Sequence, residues 1–347
     1  MLKIESQVEL ARRTTLGVGG PALHFARVES EAELLEALAF ASARNLPVRV
    51  LGGGSNIVVS DAGFAGLVIE MALAGVHGDV RGDVRQVRAA AGESWDDFVA
   101  AMVAAGYQGV ECLSGIPGRV GATPIQNVGA YGQDVSETIR EVAAIDALER
   151  TRRVFSKAEC EFAYRDSFFK SREPGRYVVT EVTFELRVNA APALRYAELE
   201  RCFSARGEGS PTLAEVRAAV LQLRHRKSML LDASDPNSRS CGSFFVNPVL
   251  SAEEFSAFSA RAAQHARVPS FPQADGRVKL AAGWLIEQAG LARGTRDGAV
   301  GLSTQHALSL VAHEGARAHD VSRFAGRVQR AVFEQFGVHL EPEPVFW

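Results

Sequence analysis

Apolar positions recur along the chain with two periods, which separate helices from strands. Leu34, Leu35, Leu38 and Ala41 fall on one side of a helix, and Ser30 with Glu33 forms an S-x-x-E capping box ahead of it. That helix is expected to end near Asn45-Leu46-Pro47, where PVRVL enters a strand. IVVS and LVIEM follow as strands on either side of the DAGFAG turn, and VRAAAG reads as a further one. Ser94 is placed to cap WDDFVAAMVAAG, which Gly106 stops. VAAID and the alternating VVTEVTFELRV read as strands. Thr212 and Glu215 open a second capped helix with Leu213, Val216, Val220 and Leu223 inward. KLAAGWLIEQAG predicts a short helix. HDVSRFAGRVQRAVFEQFG predicts a long one with Val321, Phe324, Val328 and Val332 in register. VHLEPEPVFW closes the chain as a short strand. Mixed strands and helices, with no internal repeat, give an α+β class.

Composition narrows the function. At 347 residues the chain is long enough for two or three domains. Its 47% hydrophobic and 23% charged residues are ordinary for a globular core. A net charge of −3 offers no basic stripe, so no nucleic acid partner is expected. Cys112, Cys160, Cys202 and Cys241 lie far apart without metal-ligand spacing; no metal is expected, and they read as reduced thiols. MLKIESQVELARR lacks an apolar leader, and no apolar run is long enough for a span, so a cytoplasmic protein without a membrane partner is expected. The cluster Arg224, His225, Arg226 and Lys227 ends its helix, but the helix dipole accounts for only part of that charge.

Three stretches carry chemistry. LGGGSNIVVSD sets glycines between apolar strands, where main-chain N–H groups can approach a phosphate. The dinucleotide fingerprint fails, because Ile57 stands at its third glycine and a strand follows instead of a helix. GIPGRVGATPIQNVGAYG has too many Gly and Pro for a regular element and reads as a long ordered loop, a length that points to function. In CGSFFVNP, Ser243 sits between a glycine and two phenylalanines. It is either a turn serine bonded to nearby backbone or a hydroxyl kept for one acceptor.

These motifs, with TLGVGGPA, YRDSFFK, KLAAGWLIEQAGL and LEPE in this order, resemble the UDP-N-acetylenolpyruvoylglucosamine reductase (MurB) family, type I subclass, from residue 13 to the C-terminus. The resemblance implies an FAD-binding region of the vanillyl-alcohol-oxidase (PCMH) type over 1–205, in subdomains of about 1–70 and 71–205. An α+β substrate domain over 206–347 would follow, its last strand 338–347 returning to the active site. It implies non-covalent FAD, NADPH as hydride donor and UDP-N-acetylglucosamine enolpyruvate as the small-molecule substrate; a monomer is expected.

Residue by residue, the resemblance gives the flavin Gly52, Gly53, Gly54, Ser55 and Asn56 of the first loop. From the second it gives Ile116, Pro117, Gly118, Gly121 and Ala122, then Gln126, Asn127, Gly129, Ala130 and Tyr131. It makes Arg165 the partner of the enolpyruvyl carboxylate, Ser243 the proton donor and Glu343 the acidic residue of LEPE. Tyr196, Lys227, Asn247, Arg293 and His306 fall where the family contacts substrate. The chain departs from the family pattern at Thr14, Val246 and Phe271, which stand for Asn, Lys and Tyr. Two other readings compete, an oxidase on the same scaffold and a flavin-binding regulator without turnover. GSFF…NP and LEPE argue against the first, and the intact Arg165, Ser243 and Glu343 against the second.

Overall fold

The computed structural model describes residues 2–81, 83–204, 209–265 and 267–347. The chain divides into two compact units. One comprises Met1–Val8, Ala22–Gly53 and Phe64–Leu230; the other comprises Glu9–Pro21, Gly54–Gly63 and Leu231–Trp347.

In the first unit, strands Ile4–Glu9, Pro21–Val28, Phe64–Met71 and Val48–Leu51 form a sheet in that order, the last three parallel. Helix α1 (Glu31–Ser42) buries Leu34, Ala37, Leu38 and Ala41, while Leu35 is half-buried. Ser30 accepts from the Glu33 N–H at 3.2 Å, but the Glu33 carboxylate takes the Glu29 N–H rather than closing a box on Ser30. A second sheet runs Arg152–Ser156, Ile139–Asp146, Tyr177–Val188, Val84–Ala90, Val76–Arg81, all antiparallel, with Tyr107–Gln108 added beside Tyr177–Val188. Helix α2 (Trp95–Ala104) packs Trp95 and Phe98 on Phe184, with ring centroids 5.9 and 4.9 Å apart. The expected Ser94 side-chain cap is not made; the Trp95 N–H donates to Gly118 O at 3.1 Å, tying the start of α2 to the GIPG segment.

Helices α3 (Ala197–Arg201) and α4 (Leu213–Arg226) complete this unit, with Leu199, Val216, Val220 and Leu223 packed around Cys112. The Thr212–Glu215 capping box of α4 is complete. The expected domain boundary at 205/206 lies outside the described residues. Helix α4, expected in the C-terminal domain, belongs to the first unit because its apolar face is buried there.

The second unit is built on helices α5 (Ala252–Arg261), α6 (Ala282–Gln288) and α7 (Ala318–Phe336). Two small antiparallel sheets accompany them: Val249–Leu250, Val278–Leu280, Ser270–Pro272; and Arg296–Asp297, Val300–Leu302, Leu310–Ala312. Helix α7 buries Val321, Phe324, Val328 and Val332, and stops at Gly337 with φ +71°. Its first N–H groups are taken by the Asp61 carboxylate, at 2.7 Å from Ala318 N and 3.0 Å from His319 N. Leu16, Val18 and Val58 lie in this same core, which is why residues 9–21 and 54–63 belong to the second unit. The last strand, Val345–Phe346, pairs in parallel with Ile57–Val58. Among the described residues no helix is long and apolar enough to cross a membrane.

Candidate active site

In the first unit the two glycine-bearing loops meet main chain to main chain. A Cβ at Gly53 would lie 2.6 Å from Gly118 Cα, so only glycine permits this approach. Gly121 packs as closely on Ala91, and its N–H donates to Ala91 O at 2.9 Å. The GIPG segment is also anchored from behind. Asp96 Oδ1 accepts the Gly115 N–H at 2.6 Å, and Arg217 holds the same carboxylate bidentately at 2.6 and 2.9 Å. Arg224 Nε donates to Gly115 O at 3.1 Å and Nη2 to Met229 O at 2.7 Å. Burial works to raise the Asp96 pKa, but Arg217 and the Gly115 N–H outweigh it and hold the group below the usual carboxylate range. Burial pulls the Arg224 pKa down. Arg224, one of the basic cluster, therefore faces inward as a strut.

The stretch from 115 to 132 is more regular than its Gly and Pro content predicts. It holds a 3₁₀ turn, Val120–Ala122, and the first strand of a hairpin, Gly129–Ala130 with Gln133–Asp134. The two turn residues, Tyr131 and Gly132, both have positive φ, at +50° and +80°, as a two-residue hairpin of the primed type requires. Ile116, Pro117, Gln126 and Ala130 are half-buried around it, and Ala122 is exposed. The Asn127 side chain is buried and bonded to the chain itself, donating to Ala163 O at 2.9 Å and accepting the Ser136 N–H at 3.1 Å.

Arg165 lies in a turn closed by Ala163 and Asp166, at φ +55°. Its guanidinium donates to Asn127 O at 3.2 Å and to Gly129 O, and stands 3.6 Å from Asp134 Oδ1. Lys170 Nζ donates to Arg165 O at 2.7 Å. At the turn of this hairpin, Tyr131 meets Tyr196 edge-on at 5.5 Å, and Lys227 Nζ lies 5.7 Å from the Tyr131 ring centre. Lys227 is ion-paired with Glu198. Burial pushes the Tyr131 phenol up to about 12. Tyr196 and Lys227, far apart in sequence, thus share one aromatic neighbour.

In the second unit, Gly242 turns at φ +77° and presents Ser243 ahead of Phe244 and Phe245, both fully buried. The LEPE segment runs antiparallel alongside. Glu343 N–H donates to Phe244 O at 2.8 Å, Val246 N–H to Glu341 O at 2.9 Å, and Phe245 bridges to Pro342. On the other side Phe244 N–H donates to Leu308 O at 2.7 Å, next to the turn where His306 Nδ1 accepts the Leu308 N–H at 3.1 Å. Ser243, Glu343 and the His306 turn therefore meet. Among the described residues the half-exposed Ser243 hydroxyl has no hydrogen-bond partner, so it does not act as a turn serine.

The remaining candidates in this unit differ. Asn247 Oδ1 accepts the Ala282 N–H at 2.9 Å, capping α6, so half of its amide has a structural task. Arg293 is exposed and paired with Glu287 at 3.0 Å. Gly54 takes φ +63°, its carbonyl accepting the Thr15 N–H at 3.0 Å; Asn56 Nδ2 donates to Glu343 O at 3.3 Å. Ser55 lies next to them, itself partnered. Thr14 Oγ1 accepts the Gly17 N–H at 3.1 Å.

A family model described as the UDP-N-acetylenolpyruvoylglucosamine reductase C-terminal domain matches residues 235–347, and one described as an FAD binding domain matches residues 22–154. The UDP-N-acetylenolpyruvoylglucosamine reductase of Thermobifida fusca is 50% identical over 344 residues, 97% of this chain and 96% of that protein. The chain belongs to the UDP-N-acetylenolpyruvoylglucosamine reductase family. The Streptomyces coelicolor reductase is 45% identical, covering 97% of this chain and 88% of its own. The crystal structure of the Thermus caldophilus reductase (MurB) superposes with a TM-score of 0.68 at 28% identity, covering all of both chains.

The reductase's FAD can be tested against this chain. The Gly53–Gly118 contact admits no side chain, so the two loops offer bare main chain of the kind that binds a pyrophosphate, and the residues present fit the cofactor. Burial pushes the Cys112, Cys160 and Cys241 thiols up to about 12, so these three are inert, while Cys202 is exposed. Sequence reasoning missed Asp96, Arg217 and Glu198. Arg217 and Arg224 share the inward face of α4 with Val220, and cations on a buried face call for carboxylate or carbonyl partners. No comparable signal marks Glu198.

Proposed function

We propose that the chain catalyses NADPH-dependent reduction of UDP-N-acetylglucosamine enolpyruvate to UDP-N-acetylmuramate, a step of peptidoglycan precursor synthesis, with non-covalent FAD as cofactor. The carbon–carbon double bond gains a hydride at its terminal carbon and a proton at C2, while NADPH becomes NADP⁺. FAD, when bound, carries the hydride from donor to acceptor. Gly53 and Gly118, whose contact admits no side chain, would hold it through main-chain approach.

The chain's own groups answer the charge and the proton. Hydride addition builds negative charge on C2 and the adjoining carboxylate. Arg165, always charged and fixed by two carbonyls, is suited to stabilise it. Ser243 supplies the C2 proton. A serine is a weak acid in water, but the developing carbanion is a strong base, and Phe244 and Phe245 keep the neighbourhood apolar. Glu343, hydrogen-bonded through its main chain to Phe244, orients the acceptor. Lys227 and Asn247 are read as contacts of the substrate diphosphate, Tyr196 as the tyrosine that closes over substrate, and Arg293 and His306 as lining of its pocket. The observation that carries this reading is the unpartnered Ser243 hydroxyl beside LEPE, in a chain 50% identical to a reductase. We also read the protein as a cytoplasmic monomer; light scattering after gel filtration tests the second term.

The test is NADPH oxidation by the purified yellow protein with and without the enolpyruvyl sugar nucleotide. Substrate should accelerate oxidation and yield the lactyl ether. Oxidation indifferent to the sugar nucleotide would sink the proposal.

A further inference from the structure

We infer that Asn127 is a positioning residue of Arg165 and not a cofactor ligand. The inference rests on the reading that Arg165 meets an anionic group of the substrate. Both ends of the buried Asn127 amide are spent on the chain. Nδ2 donates to Ala163 O at 2.9 Å, which is the base of the turn that carries Arg165; Oδ1 accepts the Ser136 N–H at 3.1 Å, beyond the hairpin strand that carries Asp134. The main chain of the same residue accepts from Arg165 Nη1 at 3.2 Å. Asn127 thus touches the guanidinium at its head and the turn at its root. A long, flexible arginine is fixed at two points by one residue.

Backbone strain supports the assignment. Arg165 sits at φ +55° and Asn127 at φ +47°, and left-handed conformations of residues other than glycine persist only where surroundings hold them. Asn tolerates that region better than most side chains; Arg has no such advantage. For Arg165 the restraint includes the Asn127 amide on Ala163 O, Lys170 Nζ on Arg165 O and the Ala163–Asp166 closure. Gly129 completes the seat: a Cβ there would overlap the Asp134 carboxylate and lie 2.9 Å from Arg165 Nη1. Removing the Asn127 amide takes the Ser136 N–H's acceptor and leaves Ala163 O with the Asp166 N–H at 3.2 Å, so the turn relaxes and the guanidinium loses its fixed direction.

A double-mutant cycle tests this, with FAD-loaded protein and calorimetric titration of the enolpyruvyl sugar nucleotide. Asn127→Ala should weaken sugar-nucleotide binding about 10-fold when Arg165 is present. It should weaken it less than about 2-fold in an Arg165→Ala background, because residues acting through one another are not additive. FAD affinity, measured separately by fluorescence on the stripped protein, should change by no more than about 3-fold in either background. Equal losses in both backgrounds, or a fall in FAD affinity as large as that for the sugar nucleotide, would overturn the inference. Should Asn127→Ala not fold, Asn127→Ser runs the same cycle under the same criteria. If wild-type protein fails to bind the sugar nucleotide, it is the functional reading that falls.

Discussion

Replacing Gly53 by Ala measures how far the flavin loops depend on main-chain contact. The added Cβ would lie 2.6 Å from Gly118 Cα, 3.2 Å from its N and 3.3 Å from its C. Every one of these atoms is backbone, so no side chain can swing away. Gly118 in turn is held through its carbonyl by the Trp95 N–H at 3.1 Å, and the GIPG segment by Asp96 and Arg224. Relief therefore requires a shift of the loop itself. Overpacking of this kind costs about 1–3 kcal/mol. If that cost falls on the arrangement that receives FAD, the dissociation constant rises by about 5- to 140-fold. Gly52→Ala is the control, since its Cβ would make ordinary contacts at 3.7 Å with Ala122 and Arg119. Its effect should stay within about 0.5 kcal/mol, close to 2-fold. The assay strips FAD, then titrates it back while following quenching of flavin fluorescence. Equal affinities for the two variants, whether both weak or both intact, would refute the reasoning.

Ser243→Ala should leave the thermal midpoint and FAD content unchanged, because the hydroxyl has no hydrogen-bond partner among the described residues, while substrate-stimulated NADPH oxidation slows by about 10²–10⁴-fold. Loss of FAD, or an unchanged rate, would return Ser243 to a structural role. Lys227→Ala should raise the dissociation constant for the sugar nucleotide and leave that for FAD alone; equal losses would mean that its pairing with Glu198 is its whole task. Arg217→Ala tests the strut by pH. Asp96 is held below the usual carboxylate range, so its contribution to stability is present above about pH 4 and is lost as pH falls through its folded pKa. The variant's denaturant midpoint should accordingly drop more at pH 7 than at pH 3, and a pH-independent drop would contradict the assignment. Acid precipitation should release FAD into solution; colour that stays with the pellet would mean a covalent link.

Periodicity alone determined most of the helices, because one buried stripe per helix needs no knowledge of the partner. Leu213, Val216, Val220 and Leu223 wrote α4, and Val321, Phe324, Val328 and Val332 wrote α7. Helix α5 went unread, although the structure shows a complete Ser251–Glu254 capping box at its start. Short strands such as Arg296–Asp297 were not, since two residues carry no period. Motif order determined the family, which the 50% identity over 97% of the chain bears out. Tertiary structure decided the rest, because each remaining fact joins residues that sequence separates. It assigned residues 9–21 and 54–63 to the unit of the C-terminal half, through Leu16, Val18 and Val58 in that core. It turned Arg224 from one of a basic cluster at a helix end into a buried strut, since the direction of a side chain depends on what packs against its helix. It also set Glu343 beside Phe244 through the backbone bonds of LEPE to SFFV, and gave Arg165 its seat on two carbonyls. Local pattern encodes which face is buried; only the fold encodes against what.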